Sequence, residues 1–409
     1  MKKRIFIAMH YLEIGGAETA LVGLLQTIDY SRYDVDLFLY AHRGEMMQFI
    51  PKEVNLLPEI KEYAHIECPM KQALLDGCWG VLYGRLKARW LTNKYRRRKG
   101  VIESAAGLQY IADCVSPFLP SLHKYGEYDL AISFLTPHNI VLKKVKAKKK
   151  ACWIHTDYST IDVIANKELP IWSSYDHIVS ISPDVTKTFL QVFPSLEDKI
   201  IEIENILSPK FVRKRAEESN IEFNRNKDYN GKEISILSIG RFSYPKNFEN
   251  IPDICKRINS SLFTLHSSLK VKWYIIGFGG DEQLIRQKIE EAGMQDYVII
   301  LGKKSNPYPY IKACDIYVQP SRYEGKSVTV REAQMLFKPI VITNYPTASS
   351  QIQNGVDGVI VPMDNEGCAK GLVDVIQNHA LQKDIISYLK AHDYGNEKEM
   401  EKLYKIIEN

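Results

Sequence analysis

One pattern constrains this chain more than any other, and it occurs twice. Short apolar runs of strand character alternate with helical stretches: KRIFIAMHYL (3–12), YDVDLFLY (33–40), YDLAISFL (128–135), KACWIHTD (150–157) and YDHIVSIS (175–182). Between the first two, Leu21, Leu24, Leu25 and Ile28 recur at helical spacing. The pattern lapses over the polar residues 209–233 and then restarts with ISILSIG, VKWYIIG, YVIILG, DIYVQPS, PIVITN and GVIVP. Alternating strand and helix predicts a parallel sheet covered by helices on both faces. The fold class is therefore α/β, with two Rossmann-like, doubly wound domains. The expected boundaries are 1–208 for the first domain, 209–233 for a linker and 234–385 for the second. The tail 386–409, helical through Met400, Leu403, Ile406 and Ile407, is expected to cross back onto the first domain. A chain of 409 residues exceeds what one core usually serves, which agrees with two domains. Ligands of such sheets bind at the carboxyl ends of the strands, so two sheets facing a central cleft would hold a ligand there.

Composition removes several function classes. A net charge of +5 argues against a dedicated nucleic-acid binder. Seven cysteines lie scattered without a CxxC pair and read as reduced thiols of a cytoplasmic protein. No apolar run approaches the roughly 18 residues of a membrane-spanning helix, and the start MKKRIFIAMHYLE is too short in apolar residues for a secretory leader. Positive charge concentrates in RLKARWLTNKYRRRKG (85–100) and LKKVKAKKK (142–150).

Several stretches carry candidate chemistry. Gly15 and Gly16 in GGAE join the first strand to the first helix, where backbone N–H groups face an anion or a sugar oxygen; a plain turn explains them equally. In SIGRFSYPKNFEN, Arg241 follows a strand after Gly240, and Lys246 comes five residues later near the start of the next helix. Two cations at a strand's carboxyl edge suit a diphosphate, against the alternative of a solvated pair. In IIGFGGDEQL a glutamate, Glu282, replaces the third glycine of a dinucleotide fingerprint, so Gly277, Gly279 and Gly280 read as turn glycines near phosphate and NAD binding is disfavoured. DVD (34–36) lies along a strand and reads as structural; no cluster has metal-ligand spacing. His155 and Asp157 end a strand in WIHTD and are either ligand-facing or satisfied polar residues.

The densest signal is SRYEGKSVTVREAQML (321–336). On one helix Glu324 and Glu332 would stand about 80° and about 12 Å apart. If the helix begins near Ser327, Glu324 overhangs its N-terminus and Glu332 lies one to two turns down. Backbone N–H groups from Lys326 to Thr329 would then face phosphates while the carboxylates accept sugar hydroxyls. A nucleotide-sugar has that shape, and two exposed surface glutamates would not explain Gly325 or the Arg241/Lys246 pair.

With GGAE, WIHTD, GRFSYPKN, GFGG and the E-x7-E stretch YEGKSVTVREA in place, the chain resembles, over nearly its whole length, retaining glycosyltransferases of the GT-B fold, family 4 type. The resemblance implies that Glu332 holds ribose hydroxyls, Glu324 contacts the donor sugar, and Arg241 and Lys246 bind the diphosphate. It further implies that Gly16 approaches the donor phosphate and that His155 stands near the donor sugar and acceptor. The implied catalytic set is His155, Arg241, Lys246 and Glu324; the donor-binding set adds Gly15, Gly16, Gly240, Gly277, Gly302, Gly325, Lys326, Ser327, Val328 and Glu332. No cofactor or metal is expected, the donor being a UDP- or GDP-linked sugar and the acceptor a saccharide or lipid-linked saccharide. Lys326 and Ser327 depart from the commonest motif, and EGKS looks most like bacterial capsular or surface-polysaccharide transferases. The basic, aromatic stretch 78–100, with Trp79, Tyr83 and Trp90 beside Arg85, Lys87 and Arg89, suits an anionic membrane surface on the cytoplasmic side, or else a solvated helix. The rival readings are a 2-epimerase of the same fold and a non-catalytic sugar-nucleotide-binding partner.

Overall fold

Ile5, Phe6 and Ile7 are fully buried in succession, so the first strand is covered on both faces, as strands of a parallel sheet are. The computed structural model describes residues 2–100, 106–218, 233–265, 269–325 and 327–408. The chain divides into two compact units, residues 1–208 with 396–409 and residues 209–395. Unit 1 holds strands β1 (Lys3–Met9), β2 (Tyr33–Leu39), β3 (Asn55–Leu56), β4 (Glu127–Ser133), β5 (Lys146–Ile154), β6 (His177–Ser180) and β7 (Ile200–Glu202). They pair in the order β3-β2-β1-β4-β5-β6-β7, all parallel. Unit 2 holds β8 (Glu233–Ile239), β9 (Lys270–Ile276), β10 (Val298–Gly302), β11 (Ile316–Gln319), β12 (Ile340–Thr343) and β13 (Val359–Val361). Their order is β10-β9-β8-β11-β12-β13, again parallel, with the direction of strand order reversing between β8 and β11. That reversal opens a crevice at the carboxyl ends of β8 and β11, the place where doubly wound sheets take ligands.

Several expected boundaries shift. Residues 209–215, assigned above to the linker, form the helix Pro209–Arg215 of unit 2, because Val212 is fully buried and Arg213 donates to the Met335 carbonyl at 3.2 Å. Residues 219–232 of that stretch lie outside the described residues. Residues 386–395, grouped above with the tail, stay in unit 2: they continue the helix His379–Ala391, whose Ile385 and Leu389 are buried. The helix after β8 begins at Ile251 rather than near 246, because Asn247 takes a left-handed conformation (φ 61°) that no helix continues through.

The terminal helix Met400–Glu408 belongs to unit 1, where Met400, Leu403, Ile406 and Ile407 are all buried. The Tyr404 ring stacks on Tyr33 at 4.9 Å, its hydroxyl accepts from the Asp29 N–H at 2.9 Å, and Lys3 and Lys149 bond its last carbonyls. Chain end and first strand thus share one core. Leu403→Ala should cost about 2–5 kcal/mol in urea unfolding, with faster amide exchange in β1 and β2. An unchanged midpoint would contradict this packing.

Candidate functional site

At the crevice of unit 2 the loop after β8 meets the loop after β11. Lys246 lies in a short 3-10 turn, Tyr244–Lys246, and its ammonium donates to Glu324 Oε1 at 2.5 Å. The same oxygen accepts from Gln319 Nε2 at 3.1 Å and Ser321 Oγ at 2.6 Å. Glu324 is buried, and a buried carboxylate is stable only when paired and hydrogen-bonded in this way. The shell is itself fixed. The Tyr317 hydroxyl donates to Gln319, Thr343 donates to the Ser321 carbonyl, and Thr347 donates to the Glu324 carbonyl.

The two loops are also tied by backbone and side chain. Asn247 Nδ2 donates to the Pro320 carbonyl at 3.0 Å, and Arg322 donates to the Tyr244 carbonyl while pairing with Glu249 at 2.6 Å. Gly240 has a specific reason to lack a side chain: a Cβ there would stand 3.2 Å from the Lys246 stem that folds across it. Gly277 and Gly279 are fixed as glycines by close backbone packing. A Cβ on Gly277 would come within 1.9 Å of the Gly240 carbonyl, and one on Gly279 within 2.3 Å of the Phe242 carbonyl. Gly302 ends β10 at φ 73° and receives the Gly277 N–H on its carbonyl.

Glu332 stands on the helix Val328–Met335, which begins directly after Ser327. Among the described residues no side chain caps that helix, which leaves its first N–H groups without an intrahelical partner. Ser327 is held by a reciprocal pair of bonds between its backbone and the Gln351 amide, and Gly325 is open on all sides. Lys326 lies outside the described residues. Glu332 is 3 % exposed, and its only hydrogen bond among the described residues comes from Tyr308 Oη at 2.8 Å. Burial pushes its carboxyl up to about 7, with the Tyr308 bond opposing. Arg241 is solvent-exposed, and no ion pair holds it among the described residues. The structure thus joins Lys246 to Glu324, sets Glu332 about one helical turn from Val328, and leaves Arg241 exposed directly after β8.

Sequence reasoning missed Gln319, Ser321, Asn247 and Tyr308. Gln319 had a visible signal, a polar residue closing the apolar strand before Pro320; Tyr308 is joined to Glu332 only by the fold.

In unit 1, Gly15 precedes the helix Gly16–Thr27 at the carboxyl end of β1, and a Cβ on Gly16 would meet nothing. His155 leaves β5 beside the Phe134 ring at 4.8 Å, with Nε2 buried and unpartnered among the described residues. Burial depresses its pKa to about 4, against a backbone bond to Phe134, so the imidazole is neutral. Asp157 caps a turn through Ser159. Asp36 binds Arg4, Asn55 and Tyr128, and Asp34 pairs with Lys2, so the DVD carboxylates are structural.

The stretch 78–100 forms one helix, Trp79–Lys99, burying Val81, Gly84, Ala88 and Thr92. Trp79, Tyr83, Leu86 and Trp90 line its opposite face at 51–65 % exposure. Arg85 does not join that face: it turns inward to the His65 and Cys68 carbonyls.

Residues 220–392, all within unit 2, match the family model described as Glycosyl transferases group 1. Among curated relatives, the amylovoran biosynthesis glycosyltransferase AmsD of Erwinia amylovora is 24% identical over 43% of this chain and 48% of its own length. The Campylobacter jejuni N-acetylgalactosamine-N,N'-diacetylbacillosaminyl-diphospho-undecaprenol 4-alpha-N-acetylgalactosaminyltransferase is 26% identical over 37% and 40% respectively. The chain thus spans about half the length of the curated relatives it matches, or less. Among solved structures, Anabaena HepE in complex with UDP and glucose superposes with a TM-score of 0.63 at 15% identity, covering 98% of both chains. A Staphylococcus aureus TarM complex containing UDP gives 0.65 at 13% identity over 100% of both. At these identities the structures establish the GT-B fold.

Glu332 makes the site's pH dependence testable. Below its ordinary value of 4.5 both folded and unfolded states hold the proton. As pH rises toward about 7 only the folded state keeps it, so stability falls through that window. Glu332→Gln should remove this slope, its advantage over the native chain growing between pH 5 and 8 to on the order of 3 kcal/mol. A difference that stays constant with pH would show that Glu332 is not buried as described.

Proposed function

We propose that this chain, whose second unit carries a group 1 glycosyltransferase domain, is a retaining glycosyltransferase. It moves a hexose-type sugar from a UDP- or GDP-linked donor to a saccharide or lipid-linked saccharide in surface-polysaccharide or glycolipid synthesis. The observation that carries this reading is the Lys246–Glu324 pair closing the crevice of unit 2, with Glu332 about one helical turn beyond Val328. The relatives named for amylovoran and undecaprenol-linked synthesis support the product class.

In this reading a donor diphosphate draws the Lys246 ammonium from Glu324 and recruits the exposed Arg241. Glu324, released, accepts hydroxyls of the donor sugar, and Glu332 accepts the ribose hydroxyls in place of Tyr308. As the bond from the sugar to the diphosphate breaks, negative charge grows on the phosphate oxygens. The two recruited cations and the helix beginning at Val328 stabilise that charge more than the ground state. The acceptor hydroxyl attacks on the face the diphosphate leaves, passing its proton to that phosphate, so neither a protein nucleophile nor a metal is needed. From unit 1 the reading assigns Gly16 to the donor phosphate and the neutral His155 to the sugar and acceptor.

The exposed row Trp79, Tyr83, Leu86 and Trp90 fits the interface of a bilayer. Its helix carries Lys87, Arg89, Lys94, Arg97 and Arg98 exposed and no acidic residue, which suits anionic lipid. The protein accordingly works at the cytoplasmic face of a membrane, where a lipid-linked acceptor is presented.

Two measurements test these proposals. UDP- or GDP-sugars should raise the melting temperature equally with and without EDTA, and Arg241→Ala and Glu332→Ala should abolish most of that rise. A shift that needs magnesium, or survives both substitutions, contradicts the site. The chain should float with vesicles containing phosphatidylglycerol, and Trp79→Ser with Trp90→Ser should release it. Equal flotation with neutral vesicles would remove the electrostatic part.

A further inference from the structure

The carboxyl edge of unit 1 carries a feature that the donor site does not use. His10, His138 and His155 follow β1, β4 and β5, three adjacent strands, and each has a buried Nε2 without a hydrogen-bond partner among the described residues. Buried polar atoms are normally paired, and an edge with three unpaired ring nitrogens calls for an explanation.

His138 is the most enclosed of the three, 2 % exposed. Its Nδ1 lies 2.8 Å from Ser133 Oγ, its ring meets Trp172 edge-on at 4.4 Å, and only Nε2 lacks a partner. A core histidine held for packing alone would have both nitrogens satisfied. His138 lines a cavity together with Glu168, Gln109, Pro137, Tyr158 and Trp172. Glu168 is also buried, 9 % exposed, and its two bonds among the described residues are long: Tyr158 Oη at 3.2 Å and Trp172 Nε1 at 3.4 Å, both to Oε2. A carboxylate paired by hydroxyl donors normally draws them to about 2.5–2.7 Å, so Glu168 is under-satisfied. Among the described residues no lysine or arginine lines the cavity.

These groups define a ligand by elimination. The lack of a cation, with a carboxyl present, disfavours phosphates and uronates. An apolar wall with one carboxyl and one ring nitrogen favours an uncharged molecule with adjacent polar groups. A hydroxyl both donates and accepts, so it satisfies the imidazole in either tautomer while a neighbouring hydroxyl or amide N–H donates to the carboxylate. We infer that the cavity between His138 and Glu168 binds one polar edge of a neutral sugar, and that this sugar belongs to the acceptor. The second half of the inference rests on the transferase reading; the first does not. Burial acts in the same sense on both groups, disfavouring their charged forms: the His138 imidazole is depressed to about 3, by desolvation first and then by His155 and His10, and desolvation raises the Glu168 carboxyl.

The test is saturation-transfer NMR on the full chain with the methyl glycosides of glucose, galactose and N-acetylglucosamine, and with methyl glucuronide. At least one neutral glycoside should show transfer at least fivefold above the glucuronide, undiminished by excess UDP. Glu168→Gln should weaken that signal at least fivefold, and His138→Ala likewise where it folds, while UDP still raises the melting temperature of Glu168→Gln as it does for the native chain. No transfer to any neutral glycoside, equal transfer to the glucuronide, or a signal untouched by Glu168→Gln would each overturn the proposal. Failure of both UDP and GDP to bind the native chain would instead sink the donor site and leave the sugar cavity standing, which separates the two claims.

Discussion

A carboxylate buried at the point where a parallel sheet reverses its strand order governs the architecture of unit 2. Glu324 is 8 % exposed, and its burial is tolerable because Lys246, Gln319 and Ser321 converge on one of its oxygens. Each supporting feature follows from that requirement. Gly240 makes room for the lysine stem, and Asn247 adopts a left-handed turn that anchors the lysine's loop to Pro320. The hydroxyls of Thr343 and Thr347 fix the loop that carries the glutamate. The result is a cation and an anion held in reserve for each other. In the proposed function an anionic ligand that takes the lysine would release the carboxylate for hydroxyl groups, so one ion pair would serve both halves of a glycosyl diphosphate.

The two carboxyl edges divide their chemistry. In unit 2 it is charge: a lysine, an exposed arginine and two buried glutamates. In unit 1 it is neutral polarity, because burial strips the charge from His138 and His155. Charge suits a leaving pyrophosphate, whereas uncharged donors and acceptors suit hydroxyl groups whose protons must not be lost before reaction. The family match falls wholly within unit 2. A charged site for the common leaving group and a neutral edge for the variable partner give a physical reason for that.

Much of this was legible in the sequence because it depends on local pattern. Strand-helix alternation located both sheets, and the spacing of Arg241, Lys246, Glu324 and Glu332 pointed to the crevice before its geometry was known. What escaped depends on contacts distant in sequence. Nothing near Tyr308 says that it will bond Glu332, and nothing near Arg85 says that it will turn from the surface to the His65 and Cys68 carbonyls. The glycines of IIGFGGDEQL read as turn glycines near phosphate, and a further constraint on Gly277 and Gly279 came only with the fold: the β9 loop presses on the β8 loop there. The polar stretch 209–215 looked like linker because one buried valine and a few backbone bonds, rather than a periodic apolar face, hold its helix.

The central claim is that the crevice between β8 and β11 is the seat of a nucleoside diphosphate. A crystal structure of the chain with UDP would test it most directly. The account predicts ribose hydroxyls within hydrogen-bond distance, about 3 Å, of Glu332, and phosphate oxygens at the same distance from Lys246 and Arg241. A nucleotide bound elsewhere, or bound here with Lys246 still paired to Glu324, would contradict it.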